Sequence, residues 1–225
     1  MRLFCLRSWS WLMLGIPLCL GCGGDAATED PIEGDTEEVA VEETETAGAI
    51  KRVAASKLPP LGDPLPALDG GRMVNLAGPK DWDPLPRDNK HLARFSTDKK
   101  SPNDLPRILV TADDSGDFSD DVTEDNVAEF ANSLTAGKKF VEPPKPIIIG
   151  DNVYARYVTQ AKKGSRVVER QVLETVFDGR RYAITLEVYK EHLIKNRDFA
   201  YAVAAGIKFT NPAGGTASPA PMPEE

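Results

Sequence analysis

The densest group of side chains that could bind an ion is the acidic stretch from Asp113 to Glu124. Counted from Asp113, oxygen-bearing side chains occupy positions 1, 3, 5, 7, 9 and 12, which are the ligand positions of a calcium loop. However, Phe118 stands at position 6 where such a loop has glycine, and a strand pattern precedes the stretch where a helix would be expected. We therefore predict a solvated turn whose acids lie before the next helix, and a calcium-responsive domain stays an alternative.

The remaining residue types that could perform chemistry lack the spacing that chemistry requires. His91 and His192 are the only histidines, and no cysteine follows Cys22, so a zinc site would need both histidines and a carboxylate. The sequence has no Gly-x-Ser-x-Gly and no phosphate-binding loop. We predict no catalytic residue, no metal ligand and no cofactor, hence no enzyme. Because Asp and Glu are abundant, a hydrolase that uses paired carboxylates stays an alternative.

The first 21 residues have the composition of an export signal. Arg2 and Arg7 form a short basic region, and residues 9–20 are almost wholly apolar. This apolar run is too short for a membrane-spanning helix, which needs about 20 residues, but it suits a signal peptide. We therefore predict that residues 1–21 are removed after export.

The cysteines indicate how the exported chain is held. Gly21-Cys22 ends the apolar run and resembles the lipobox of bacterial lipoproteins, with Cys19 in the place usually held by leucine. This resemblance implies cleavage before Cys22 and attachment of acyl chains to its thiol, and two or more chains give firm membrane anchoring. Cleavage by the ordinary signal peptidase remains open. A redox or zinc pair of Cys19 and Cys22 does not fit, because the pair interrupts the export segment.

Charge and proline content divide the mature chain into three parts. Residues 22–68 are predicted to be a disordered tether, because residues 23–47 contain ten acidic and no basic side chains and four prolines follow within residues 58–67. Residues 69–210 are predicted to be globular. Residues 211–225 are proline-rich and are predicted to be a disordered tail. Residues 70–211 carry 22 Lys and Arg against 21 Asp and Glu, so a nucleic-acid partner is not expected.

The globular part has the pattern of an α+β fold. Short apolar runs at 74–76, 92–95 and 108–112 indicate strands, and apolar residues at i, i+3, i+4 and i+7 predict a helix from Val127 to Leu134, capped by Thr123. Three prolines at 143–146 are expected to break the chain. Three longer strands are then predicted at 152–161, 166–177 and 180–189, with a tight hairpin at Asp178-Gly179. A helix at 196–205 and an edge strand at 207–209 close the domain.

Together these features resemble the PsbP-like fold family. The residues that carry the resemblance are Pro79 and Trp82 beside a strand pair, the helix before the proline break, Gly150 to Ala155 leading into the long hairpin, and the strand that Tyr182 begins. The resemblance implies an antiparallel sheet with helices packed on it, an α/β/α sandwich, and a binding or scaffolding role. We therefore predict a lipoprotein that faces the periplasm, with membrane lipid through Cys22 and an unidentified envelope protein as its partners.

Overall fold

The computed structural model describes residues 50–101 and 103–210. The predicted signal peptide, most of the predicted tether and the predicted tail lie outside the described residues. Eleven strands, two α-helices and two short 3-10 helices occur in the described part. The strands and α-helices are β1 (Lys51–Val53), β2 (Leu61–Asp69), β3 (Arg72–Pro79), β4 (Asp83–Pro84), β5 (Ala93–Ser96), β6 (Arg107–Asp114), α1 (Val127–Ser133), β7 (Glu142–Ile149), β8 (Asn152–Lys163), β9 (Arg166–Phe177), β10 (Arg180–Tyr189), α2 (Leu193–Gly206) and β11 (Lys208–Thr210).

Eight strands form the large sheet, in the order β1-β7-β8-β9-β10-β6-β5-β4. All neighbours in this sheet are antiparallel except β1, which runs parallel to β7. The predicted hairpin between β9 and β10 is confirmed. Both of its turn residues, Asp178 and Gly179, have positive φ values of 49° and 70°, as a two-residue hairpin turn requires.

The remaining three strands form a small sheet in the order β11-β3-β2. The predicted domain boundary at residue 69 is corrected, because β1 of the large sheet and β2 of the small sheet lie within the predicted disordered tether. Pro64 and Pro66 had suggested an extended spacer. β2 accommodates them because it is the edge strand of its sheet, so one side of its backbone has no ladder to complete.

The two helices lie on opposite faces of the large sheet. α2 packs against β10 and against β3 of the small sheet, and Ala200, Val203 and Ala204 are fully buried in that core. α1 packs on the other face, where Phe130 joins Tyr157 and Val172 in a second core. The expected α+β architecture, an antiparallel sheet with helices packed on it, is confirmed.

Three local predictions are wrong in detail. The proline-rich segment 143–146 does not break the chain but lies in β7. β8 pairs with β7 on one side, whereas β1 on the other side pairs only with residues 147–149. The prolines therefore have a neighbouring strand on one side only. Thr123 does not cap α1, because the N-cap residue is Asn126 and the helix has no side-chain capping hydrogen bond. The backbone N–H of Thr123 donates to the Asn126 side chain at 2.8 Å. α2 begins at Leu193, three residues before the predicted start. In the described part of the chain, neither helix combines the length and the apolar character that crossing a membrane requires.

Candidate anion-binding cleft

A cleft of about 240 Å³ opens between α2 and the β1-β7-β8 end of the large sheet. We call it the basic cleft. Its lining residues are Lys51, Glu142, Lys145, Pro146, Ile147, Arg156, Arg197 and Tyr201. The four basic side chains come from four different elements, β1, β7, β8 and α2.

Strand register and helix spacing bring these residues together. Alternation along β8 places Arg156 on the same face as Tyr154 and Val158, which lie in the core shared with α2. Lys145 is the partner of Arg156 in the β7–β8 ladder, and Lys51 is the partner of Ile147 in the β1–β7 ladder. Arg197 and Tyr201 are four residues apart on α2, so they share one face of that helix.

Arg156 is the most constrained cation of the basic cleft. Its Nε donates to Gln171 Oε1 at 3.2 Å and its Nη1 donates to Glu142 Oε2 at 2.5 Å, with a side chain only 16% exposed. Burial alone would lower the pKa of Arg156, but the hydrogen bond and charge of Glu142 raise it above its ordinary value. Gln171 is fully buried and its amide also donates to the Arg197 carbonyl at 3.4 Å. The guanidinium is therefore fixed before any ligand arrives.

Among the described residues, the lining of the basic cleft contains four cations and one carboxylate, that of Glu142. Lys145 is exposed and makes no ion pair with any residue in the described ranges. Arg197 lies 3.7 Å from Asp198, its chain neighbour, in a pair whose two side chains are about half exposed. Such exposed pairs are weak, so both cations can turn to another anion. The arrangement suits a carboxylate or phosphate group, for which a fixed guanidinium and an exposed ammonium group, here that of Lys145, are common ligands.

Burial also raises the pKa of Tyr201, so its hydroxyl stays protonated and can donate a hydrogen bond. It faces the same cleft as Arg156 and Arg197. The cleft therefore combines three kinds of donor, guanidinium, ammonium and phenol, on one small concave surface.

The structure does not gather the acids of residues 113–124, for which calcium binding was the alternative to a solvated turn, around one point. Asp114 pairs with Arg180, Glu124 pairs with Arg52 at 2.5 Å, and Asp121 accepts a hydrogen bond from the backbone N–H of Asp178 at 2.6 Å. Within residues 50–101 and 103–210, no three His, Cys, Asp or Glu side chains are grouped so that they could hold a metal ion. The loop acids instead bind groups on β1, β10 and the β9–β10 turn.

The two histidines lie in different surroundings. His91 Nδ1 is 2.7 Å from Asp88 Oδ1, and Asp88 also accepts a hydrogen bond from Arg94 at 3.0 Å. The hydrogen bond from the backbone N–H of Lys90 is the largest cause that lowers the pKa of Asp88 to about 2, and the hydrogen bond with the His91 side chain adds to it. His192 is exposed and lies 4.0 Å from Glu191. The histidines line separate clefts and are not brought together.

Most buried carboxylates are held by a partner of the protein. Arg180 donates to both oxygens of Asp69, at 2.8 and 3.0 Å, and Tyr182 donates to the same carboxylate at 3.1 Å. Burial would raise the pKa of Asp69, but Arg180 and Tyr182 hold it below its ordinary value. Burial and Asp69 in turn raise the pKa of Tyr182 to about 12. This cluster fastens β2 of the small sheet to β10 of the large sheet.

Two further buried carboxylates, Glu187 and Glu174, accept hydrogen bonds from side chains on neighbouring strands. Glu187 accepts from Arg107 at 2.5 Å and from Arg170 at 2.7 Å. Glu174 accepts from the Tyr157 hydroxyl at 2.6 Å, and burial, followed by Glu174, raises the pKa of that hydroxyl.

Glu169 is the buried carboxylate that bears most directly on the hydrolase alternative. It is 5% exposed, and burial raises its pKa. The charge of Lys190 opposes this shift, and the charge of Glu142 adds to it. However, Glu142 is bound by Arg156, and Glu169 does not line the basic cleft. The two carboxylates therefore do not face a common pocket.

A larger and more open cleft, of about 690 Å³, lies beside Trp82 between the edge strands β2 and β4. Proline, glycine and aromatic residues make up most of its lining. Its charged residues, Asp63, Lys80 and Asp83, are exposed and pair with no other described residue. No polar group is held in a fixed orientation there, so this cleft lacks the specificity of the basic cleft.

Sequence reasoning missed the basic cleft. A signal existed for Arg156, because it is a charged residue at an inward position of an alternating strand, between Tyr154 and Val158. Tyr154, Tyr157, Tyr182 and Tyr201 are at most 5% exposed and belong to the core.

Comparison of the sequence with family models and with curated proteins finds no match. Comparison with solved structures finds similar folds. One is a crystal structure of a protein from Bacteroides thetaiotaomicron, with a TM-score of 0.45 and 11% identity. The aligned region covers 62% of this chain and 46% of the Bacteroides chain, so this chain spans about half the length of that protein. LpqN, described as involved in cell envelope biogenesis of Mycobacterium tuberculosis, has a TM-score of 0.45 and 17% identity, and covers 66% of this chain and 91% of its own.

The third similar structure is a cyanobacterial PsbP, CyanoP from Synechocystis, in solution. Its TM-score is 0.39 at 12% identity, and it covers 61% of this chain and 86% of its own. A PsbP is thus among the structures to which this chain is similar. At these identities the likeness concerns the fold alone, and no residue role is transferred from it.

Proposed function

We propose that this chain is a lipoprotein anchored to a bacterial membrane through Cys22, and that its domain is a non-enzymatic binding module of the cell envelope. The domain faces the periplasm and scaffolds another envelope protein. The anchoring part of the proposal is supported by the order of basic, apolar and cysteine residues at positions 2–22.

The observation that carries the binding role is the basic cleft. A guanidinium already held by Gln171 and Glu142 loses little entropy on binding an anion, and preorganisation of this kind favours affinity. The exposed Lys145 supplies long-range attraction. The partner that fits is an envelope protein that presents acidic side chains.

The way the domain uses its carboxylates supports a non-enzymatic role. Asp69 and Glu187 are each bound by arginine. Arg180 holds the pKa of Asp69 below its ordinary value, and a carboxylate held ionised in this way is a poor proton donor at neutral pH. The ion pairs of Asp69 and Glu187 connect neighbouring strands. The proposed binding role requires only that the cleft recognises a charged group.

Site-specific crosslinking in native membranes tests this function. A photo-reactive amino acid replaces Pro146 in the cleft of the full-length protein, and another replaces Lys162 on the β8–β9 hairpin as a control position. We expect a reproducible adduct with one envelope protein at position 146 and none with that protein at position 162.

A pair of charge reversals establishes whether the adduct depends on the cleft. Lys145→Glu should abolish the adduct at position 146, whereas Lys162→Glu should leave it unchanged, because both lysines are exposed but only Lys145 lines the cleft. Adducts that resist Lys145→Glu, or that are the same at both positions, would show that the cleft does not recognise a partner.

A further inference from the structure

We propose that Glu142 is a built-in competitor in the basic cleft, whose carboxylate binds Arg156 in the free protein and is displaced by a carboxylate of the partner. This inference rests on the proposed function, because it names the group that a partner must displace and the kind of acidic group that can displace it. That group is a pair of neighbouring carboxylates, such as two adjacent acidic side chains provide.

An irregularity in β7 turns Glu142 toward the cleft. Lys145 is the ladder partner of Arg156. If that register continued, Glu142 would pair with Thr159, which alternation places on the α1 face of the sheet. The register shifts between residues 142 and 145, however, and Glu142 pairs with Val158, which lies in the core shared with α2. The extra residue therefore brings Glu142 to the face that carries Arg156, as bulges commonly re-aim side chains.

The exposures of the two side chains indicate which member of this ion pair can leave. Arg156 is 16% exposed, and its Nε donates to Gln171 Oε1 at 3.2 Å. Gln171 is fully buried and its amide donates to the Arg197 carbonyl at 3.4 Å, so its orientation is fixed. Glu142 is 46% exposed and accepts from Arg156 through Oε2 at 2.5 Å. The carboxylate can therefore move into water while Gln171 keeps the guanidinium in place.

A single external carboxylate gains little by replacing Glu142. The exchange puts one carboxylate in the place of another on the same guanidinium, and Glu142 has the advantage that it belongs to the same chain. The cleft thus rejects isolated carboxylates, because each of them competes with a group that is always present.

A second carboxylate on the same ligand changes this balance. Lys145 is exposed, makes no ion pair within the described part of the chain, and is the cross-strand neighbour of Arg156. Arg197 also lines the cleft, and its exposed pair with Asp198 is weak. A ligand with two adjacent carboxylates can therefore bind Arg156 with one and Lys145 or Arg197 with the other.

Peptide titrations of the full-length protein in detergent test the inference, with amide chemical shifts as the measure of binding. The two probes are acetyl-Gly-Glu-Glu-Gly-amide and acetyl-Gly-Glu-Gln-Gly-amide, which differ by one carboxylate. The unchanged protein should bind the first probe roughly tenfold more tightly, because only that probe can contact Arg156 and Lys145 together. Glu142→Gln removes the competing charge and keeps a carbonyl acceptor, so it should bind both probes about fivefold more tightly than the unchanged protein does.

Glu124→Gln is the matched control. Glu124 accepts from Arg52 at 2.5 Å, its side chain is 51% exposed, and it does not line the basic cleft. The substitution therefore changes the net charge of the protein as Glu142→Gln does and removes a similar ion pair elsewhere. It should leave the affinity for both probes unchanged.

A second measurement follows the displaced group itself. In the unchanged protein with carbon-13 in its glutamate carboxyl groups, the signal of Glu142 should move to the position of a solvent-exposed glutamate when the first probe binds. The signal of Glu124 should not move. This readout separates displacement of Glu142 from a purely structural effect of its substitution.

Four results would overturn the inference. They are an equal gain of affinity in Glu142→Gln and Glu124→Gln, no gain in Glu142→Gln, equal affinity of the unchanged protein for the two probes, and a Glu142 signal that stays in place when the first probe binds. Failure of both the unchanged protein and Glu142→Gln to bind either probe would overturn it as well.

The outcomes separate this inference from the proposed function. If the adduct at position 146 forms and depends on Lys145 but Glu142→Gln gains no affinity, the cleft recognises a partner without competition from Glu142. If Glu142→Gln gains affinity for the probes but no adduct forms, Glu142 is a competitor and the proposed envelope partner is wrong.

Discussion

Partly buried charges in this domain join strands that lie far apart in the sequence. Asp69 and Arg180 are 111 residues apart, and their pair connects the small sheet to the large sheet. Asp69 is 7% exposed and Arg180 is 23% exposed. Removal of one partner should leave the other without a compensating charge in a place that water reaches poorly.

Asp69→Asn should lower the free energy of unfolding at pH 7 by about 2 kcal/mol, because it removes a charged acceptor from Arg180 and Tyr182. The pKa of Asp69 is depressed in the folded state, so its contribution is present above the unfolded-state pKa and lost as pH falls through the folded-state pKa. Urea unfolding of the variant and the unchanged protein between pH 7 and pH 2 measures both the loss of stability at pH 7 and its dependence on pH. Asp198→Asn, in the exposed pair with Arg197, is the control and should cost less than about 0.5 kcal/mol. Equal losses would contradict the account.

Glu169→Gln should have the opposite effect. Burial raises the pKa of Glu169, so its ionised form weakens the folded state at neutral pH. The variant should gain up to about 1 kcal/mol in the free energy of unfolding at pH 7, and the gain should vanish as pH falls through the folded-state pKa and then the unfolded-state pKa. The same urea titration reports it. A loss of stability at pH 7 would show that the ionised carboxylate has a favourable partner.

At the scale of elements, the local sequence pattern was sufficient to predict the bounds of two strands that have neighbours on both sides, β9 and β10. β9 and β10 were predicted with their observed bounds, because alternation and the Asp178-Gly179 turn specify them locally. β2 and β7 were both missed because both contain prolines, which usually exclude a strand. Whether an edge position tolerates proline depends on which strand lies beside it, and the local sequence does not contain that information.

The candidate site was harder to predict than the fold. Lys51, Lys145, Arg156 and Arg197 span about 150 positions, and only the parallel pairing of β1 with β7 and the packing of α2 bring them together. The acidic stretch 113–124 looked richer in chemistry because its residues are consecutive. In the structure its acids bind separate partners. Of the four cations, Arg156 alone carried a local signal.

The contact between the two sheets gives a prediction of its own. Gly78 of β3 lies against the ring of Phe95 of β5, and a Cβ at this position would be 2.3 Å from Phe95 Cδ1. Phe95 is 1% exposed and cannot move away without loss of core packing. Gly78→Ala should therefore lower the free energy of unfolding by about 2 kcal/mol.

Gly62→Ala on the neighbouring strand β2 is the matched control, because the nearest atom to its added Cβ would be 3.7 Å away. It should change stability by less than about 1 kcal/mol. Thermal or urea unfolding of both variants compares them. A Gly78→Ala protein as stable as Gly62→Ala would mean that the sheets are not in close contact at this point.

At the scale of the whole molecule, charge is separated along the chain. Residues 23–47 carry ten negative charges, whereas residues 70–211 are almost neutral. A uniformly acidic surface would bind no acidic partner, but a nearly neutral domain with one basic cleft can. In the sequence, residues 23–47 follow Cys22 directly and precede β1.

The attachment of lipid to Cys22 is the claim on which the location of the domain depends. Mass analysis of the N-terminal peptide of the native protein, isolated from membranes, tests it most directly. We expect a peptide that begins at Cys22 and carries acyl chains, and a Cys22→Ser protein that leaves the membrane fraction. A soluble native protein that still begins at Met1 would contradict the account.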